Sequence, residues 1–345
     1  MSRRMGITNI EILAAVLVVL AIIIGTVAVV WLDTTGEKGS GLGKEFIYDV
    51  KDLAKIDPNL ILYEESADAI STGLKVSRAI VIDFDGRVCV AGDKVIRVFA
   101  ESGDFVGEIK LADSPTSLTV ADDGKFYIGT KDHVEVYNAG GKRLAAWQSL
   151  DDDAVLTSIA VYKNDVFVAD AGNRIVVHYD TAGRLINHIG TKDKDKNIPG
   201  FLVPSPYFDL AVARDGLLRV TNPGRHRIEA YTFDGDLEFW WGEFSSNVEG
   251  FCGCCNPVNF AILDDNFVTC EKGLIRVKIY DAEGAFMAVV AGPEQLVEGG
   301  IARIDEWAYE SKAGGFDVAV DESGRIFVLD TMKNVVRIFS RKKTS

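Results

Sequence analysis

Two kinds of hydrophobic pattern divide this chain. One is an unbroken apolar run, Ile12 to Leu32, without a charge and with nothing more polar than Thr26. A run of this length with no polar stripe predicts a membrane-crossing helix, since roughly 30 Å of bilayer core is spanned at about 1.5 Å per residue. A cleaved signal peptide is the rival reading, but its apolar part is usually only about 7–15 residues long. The other pattern begins near residue 58. Short β-branched stretches alternate apolar and polar positions and break at Asp, Asn and Gly, as strands joined by tight turns do.

That second pattern repeats six times. A small turn at 83–86, 121–124, 162–165, 213–216, 263–266 and 321–324 leads each time into a strand, a polar turn and another strand. Successive turns lie 38 to 58 residues apart. A four-stranded unit recurring every ~40–50 residues is the mark of a β-propeller, whereas solenoid units are mostly helical or shorter. The sequence therefore predicts an all-β, six-bladed β-propeller over residues 58–340, preceded by one transmembrane α-helix at 12–32. Residues 1–11 form the N-terminal flank, 33–57 a Gly-rich stalk and 341–345 a basic tail. The sixth copy holds only three strands, and Leu60-Ile61-Leu62-Tyr63 is an isolated β-rich run ahead of the first copy. Pairing of that run with Val335–Phe339 would supply the missing outer strand and remove two exposed edges.

The segments Gly172-Asn173-Arg174-Ile175-Val176-Val177, Val95-Ile96-Arg97-Val98-Phe99 and Asn334-Val335-Val336-Arg337-Ile338-Phe339 resemble NHL repeats. The resemblance covers about residues 58–340 and implies an NHL-like propeller. Such propellers include peptide and protein binders, sensor heads of membrane proteins, RNA binders and some metal-dependent lyases, so the resemblance implies the fold more sharply than the activity.

Charge narrows the range of functions. The 345 residues carry 37 Lys and Arg against 51 Asp and Glu, a net −14, which argues against phosphate-driven nucleic-acid binding. Arg3 and Arg4 precede the apolar run, while Asp33, Glu37 and Glu45 follow it. The positive-inside rule then puts the N-terminus in the cytoplasm and the propeller outside it, with the lipid bilayer as a partner of 12–32. Residues 3–11 also resemble a prepilin-type leader at Gly6, Thr8, Ile10 and Glu11, departing from it at Ile7 and Asn9. That resemblance implies assembly into a pilus-like filament.

Candidate chemistry concentrates in three long links between blades, 191–207, 240–257 and 292–315, because loops on a rigid scaffold carry binding residues. Ligand-binding candidates on that face are Asn173, Arg174, Arg225, His226, Trp240, Trp241, Phe251 and Lys272. Trp240, Trp241, Phe244 and Phe251 form either a recognition surface or the blade's outer packing. Cys252, Cys254 and Cys255 crowd one loop, and Cys270 ends the next strand. A hairpin turning at Asp264-Asp265 brings residues near 259 opposite Cys270. A disulfide, a thiolate-bound metal and a redox pair are all open to this cluster. The other cysteine, Cys89, reads as a buried small hydrophobe. His133 and His178 fall on third strands and are the histidines a metal site would draw on. The acids Asp85, Asp122, Asp123, Asp215, Asp265 and Asp321 read as turn formers and not as a Ca²⁺ set. No G-x-S-x-G elbow, Walker loop or dinucleotide fingerprint occurs, and no cofactor is expected apart from a thiolate-bound metal. The balance favours a protein, peptide or glycan binder over an enzyme.

Overall fold

The computed structural model describes residues 9–31, 49–66, 68–304 and 315–343. Arg3, Arg4 and most of the leader-like stretch lie outside these residues. So do residues 33–48 of the stalk, 305–314 of the third long link, and the last two of the tail. Residues Asn9–Trp31 form an α-helix, with side chains described at Leu13 and over 16–27. Among the described residues no helix is long and apolar enough to cross a membrane. The anchor expected over 12–32 thus rests on the sequence.

Every copy of the repeat folds into an antiparallel sheet, and six sheets form the propeller. The inner strands are Ser77–Ile82, Ser117–Val120, Leu156–Tyr162, Leu210–Val212, Asn259–Leu263 and Phe316–Val320, for blades one to six. Each neighbours the next round a closed ring. Of the acids read as turn formers, Asp321 builds its turn as expected, and Asp83 and Asp180 do the same at positions that reading did not name. Asp83, Asp180 and Asp321 each accept the backbone N–H two and four residues on, and each also takes the Nε of an Arg four residues on. Such self-bonding is why Asp starts so many turns, and it leaves no vacant carboxylates for Ca²⁺ at these three. In the first copy the turn former is Asp83, while Asp85 is exposed and pairs with Arg87 at 2.9 Å.

Ring closure joins the two ends of the repeat region. Tyr63–Glu65 pairs with Val335–Arg341, Tyr63 opposite Arg341 and Glu65 opposite Phe339, and Ile70–Ser71 pairs with Val336 and Val335. The closing strand therefore begins three residues later than Leu60. Ile61 instead bridges Val289 and the Leu62 N–H donates to the Val289 carbonyl, so the chain first lies on blade five before crossing to blade six. Arg337, inside the closing sheet, donates twice to the Glu65 carboxylate at 2.9 and 2.5 Å.

Polar side chains staple the inner strands across four of the six junctions. Ile80 N–H donates to Asp317 Oδ2, Phe260 N–H to Asp209 Oδ2, Asn259 Nδ2 to the Phe316 carbonyl and Thr157 Oγ1 to the Phe208 carbonyl. Each satisfies a backbone group that the central channel would otherwise leave unpaired.

Candidate functional site

The links between blades and the turns between second and third strands share one face, and the central channel opens there. The channel encloses about 300 Å³ and is lined by the inner strands, including Asp209 and Asp317. Burial pushes the Asp209 carboxyl up to about 6, and burial together with the nearby Asp209 charge pushes the Asp317 carboxyl up to about 7. Above it lies a mouth of about 340 Å³, bounded by Arg78, Thr116, Thr157, Tyr207, Asn259 and Asp317, among others. Arg78 is exposed and makes no hydrogen bond or ion pair among the described residues. Its charge acts on Tyr207, whose phenol is pushed up by burial and drawn back by that guanidinium. Lys272 Nζ sits 4.5 Å from the centre of the Tyr207 ring and donates to Ser205 Oγ at 3.0 Å. Gly315 keeps the ring's place open, because a Cβ there would stand 3.1 Å from Tyr207 Cε1. Two cations thus act on one phenol at the mouth of a channel in a strongly acidic protein.

The cysteine loop borders this mouth. All five cysteines are free thiols. Cys254 Sγ and Cys255 Sγ lie 3.1 Å apart, and the Cys255 charge, when formed, would raise the Tyr207 phenol. Cys254 is exposed and Cys255 buried. Cys270 faces Asn259, the register expected of that hairpin, but its side chain lies in the core, where burial pushes the thiol well up. Cys89 is a core thiol as expected, pushed up to about 12.

A different device anchors the link. Three side chains at alternate positions, the first just ahead of blade five's third strand, Val277–Tyr280, and two within it, capture five consecutive loop carbonyls. Arg276 donates to Ser246 and Asn247, Lys278 to Val248 and Gly250, and the Tyr280 hydroxyl to Glu249. Lys278 is wholly buried and pairs at 2.6 Å with the equally buried Glu271, which also accepts the Cys252 N–H. Period-two spacing is what lines up positions 276, 278 and 280 on one face.

The sequence candidates divide accordingly. Lys272 does not line the mouth itself but sits on its Tyr207; its backbone N–H and carbonyl are both bound by the Asn256 side chain, which ties it to the cysteine loop. His226 reaches the same loop, with Nε2 on the Gly253 carbonyl and its ring 5.1 Å from Phe244. Arg225 is exposed beside it. Trp240 is 52 % exposed, with Arg227 stacked 4.4 Å from its ring. Trp241 and Phe251 are corrected: both are buried in one aromatic cluster with Phe267 and Tyr280, so they pack the blade and do not face a ligand. Asn173 staples its own turn through Asp151 and Asp170, and Arg174 stands exposed on that turn, away from the lining of the mouth. His178 is buried against Asp165 at 2.7 Å and stacked on Phe167. The sequence reading missed Arg78, Tyr207, Asp209 and Asp317. A signal existed in the near-identical inner strands Phe208-Asp209-Leu210-Ala211-Val212 and Phe316-Asp317-Val318-Ala319-Val320, which place an acid where a purely apolar strand was expected.

No protein-family model and no curated protein matches this chain. Solved structures do match in fold. A streptogramin B lyase superposes with a TM-score of 0.52 at 12% identity, covering 83% of this chain and 100% of that one. A catalytically inactive virginiamycin B lyase from Staphylococcus aureus, bound to quinupristin, gives 0.51 at 12% identity over 77% of this chain and 80% of that one. A protein of unknown function from Bacteroides thetaiotaomicron gives 0.51 at 13% identity, over 81% and 73%. At such identities the likeness is one of fold: this chain is similar to these proteins as a six-bladed β-propeller.

Proposed function

We propose that this protein is a membrane-tethered binding propeller that holds an anionic group of a protein, peptide or glycan at the mouth of its central channel. The observation that carries the reading is Arg78, a guanidinium without a partner among the described residues, set beside Tyr207 and Lys272 at the channel opening. Arginine presents a fork of donors that fits a carboxylate, and concave sites with a few convergent polar groups are where ligands bind. Tethering through residues 12–32, with the propeller outside the cytoplasm, is supported by the uncharged run and the basic residues before it. Leu13, Leu17, Ile22 and Ile24, exposed along that helix, suit a lipid surround.

The test is binding of full-length protein in detergent micelles to immobilised acidic peptides and uronic-acid oligosaccharides, with neutral counterparts alongside. Acidic probes should bind, and Arg78→Gln should weaken them at least tenfold. Equal binding of neutral probes, or an unaltered affinity in Arg78→Gln, would sink the reading. A second reading, redox chemistry, is favoured by the contact of the Cys254 and Cys255 thiols beside the mouth.

A further inference from the structure

A separate cluster lies where blades one and two meet on the link face. It joins Asp113 from the link between them with His133, just ahead of blade two's third strand, and Glu135 within that strand, Val134–Tyr137. One ligand atom from each residue lies within 4.8 Å of the others. The imidazole is aimed from behind. Its Nδ1 is 2.8 Å from Asp132 Oδ1 and 3.0 Å from Thr130 Oγ1, and Thr130 gives its own proton to the His133 carbonyl at 2.9 Å. A carboxylate on Nδ1 places the proton there and turns the Nε2 lone pair outward. Nε2 faces Glu135 Oε1 at 3.9 Å and makes no hydrogen bond among the described residues.

This gap discriminates between the two cations that could occupy it. A proton on Nε2 would need an acceptor at about 2.7–3.2 Å, so it does not bridge to Glu135. A divalent ion about 2.1 Å from each donor holds donors up to roughly 4.2 Å apart, a limit that the His133–Glu135 pair meets at 3.9 Å, while the full set, within 4.8 Å, needs Asp113 to close in. Glu135 is almost wholly buried on a rigid strand, so the site has a preformed side, and exposed Asp113 completes it by rotation. Glu135 Oε2 accepts from Tyr137 at 2.8 Å, while Oε1, the oxygen that faces His133, accepts from Arg143 at 2.5 Å and has its second lone pair left for an ion; Lys94 lies 3.6 Å from Asp113. These two cations reduce the local negative charge and hold the affinity to a moderate range.

We infer that Asp113, His133 and Glu135 form a binding site for a borderline divalent metal such as Zn²⁺, with Asp132 orienting the histidine. One imidazole and two carboxylates suit Zn²⁺ and its neighbours better than they suit Cu(I), which favours thiolate ligands. The site is distinct from the cysteine loop, where sulfurs only 3.1 Å apart favour a direct S–S contact.

The experiment is titration of the full-length protein in detergent with Zn²⁺ and with Co²⁺, each followed by calorimetry and the latter also by absorption. One ion should bind per chain, with Co²⁺ giving weak visible bands and no near-ultraviolet thiolate charge transfer. His133→Ala and Asp113→Asn should each lose affinity at least tenfold, and Asp132→Asn about 10- to 100-fold, as orienting partners do. All three residues are at least partly exposed, and unchanged thermal melts would show that the variants fold. Undiminished binding in His133→Ala would overturn the inference. So would thiolate charge transfer abolished by Cys254→Ser, or no stoichiometric binding to the wild type.

Discussion

Consider replacing Lys278 with methionine, which is unbranched and one atom shorter and removes the charge. Lys278 and Glu271 are both fully buried and 2.6 Å apart. Burial lowers the lysine's affinity for its proton, and the Glu271 carboxylate opposes that loss. Removing one member of such a pair strands the other charge and typically costs about 3–5 kcal/mol. Two further bonds vanish in the same step, to Val248 and Gly250 at 3.0 and 2.7 Å, so the loss should fall at the upper end and centre on the link. Urea unfolding of full-length protein in detergent should give a drop of about 4 kcal/mol, with hydrogen exchange accelerated over residues 243–252. Adding Glu271→Gln should recover part of the loss, since the second change removes the stranded charge. A loss below about 1 kcal/mol with exchange unaltered would refute the assignment of this pair as the anchor of the link.

Two further outcomes are expected. Asp209 and Asp317, ordinarily near 3.8, titrate near 6 and 7 in the folded protein, so the native state holds protons that the unfolded chain has released. Their contribution is full below about pH 4 and is lost as pH rises through 6 to 7, so urea midpoints should fall between pH 5 and 8. Asp317→Asn should flatten that slope whatever its effect on absolute stability, and a midpoint that rises with pH, or an unchanged slope, would contradict the assignment. Finally, a thiol-specific alkylating reagent followed by peptide mapping should label Cys254 first, with Cys89 and Cys270 protected until unfolding. Early labelling of Cys270 would disprove its core placement.

What could be read from the sequence was local. Turn acids such as Asp83 and Asp321 bond within four residues, so their spacing betrays the six copies before any packing is known. The pairing of Asn259 with Cys270 follows from one tight hairpin. The closing strand was expected at 60–63 and lies at 63–65 and 70–71, because Ile61 and Leu62 meet the outer strand of blade five first. A pattern of alternation alone does not say which of two open edges a short strand will choose. The mouth was less legible still. Arg78 and Tyr207 come from different blades and meet only because the ring closes, and Trp241 and Phe251 carry the residue types of a binding surface while filling a core. The clamp formed by Arg276, Lys278 and Tyr280 was visible as period two, but its targets are carbonyls, which any sequence supplies.

The closing sheet has a consequence for how the protein is made. Glu65 and Arg337 are partners separated by 272 positions. During synthesis the strand holding Glu65 emerges early and has nothing to pair with until five and a half blades have followed it. Contacts so distant in sequence form slowly, because the chain entropy of the whole intervening loop is lost before the pair contributes anything. Until then the early strand and the outer edge of blade six both stay unpaired and open to neighbouring chains. The yield of folded protein should therefore depend on how fast the final forty residues are delivered, more than on the strength of any single blade.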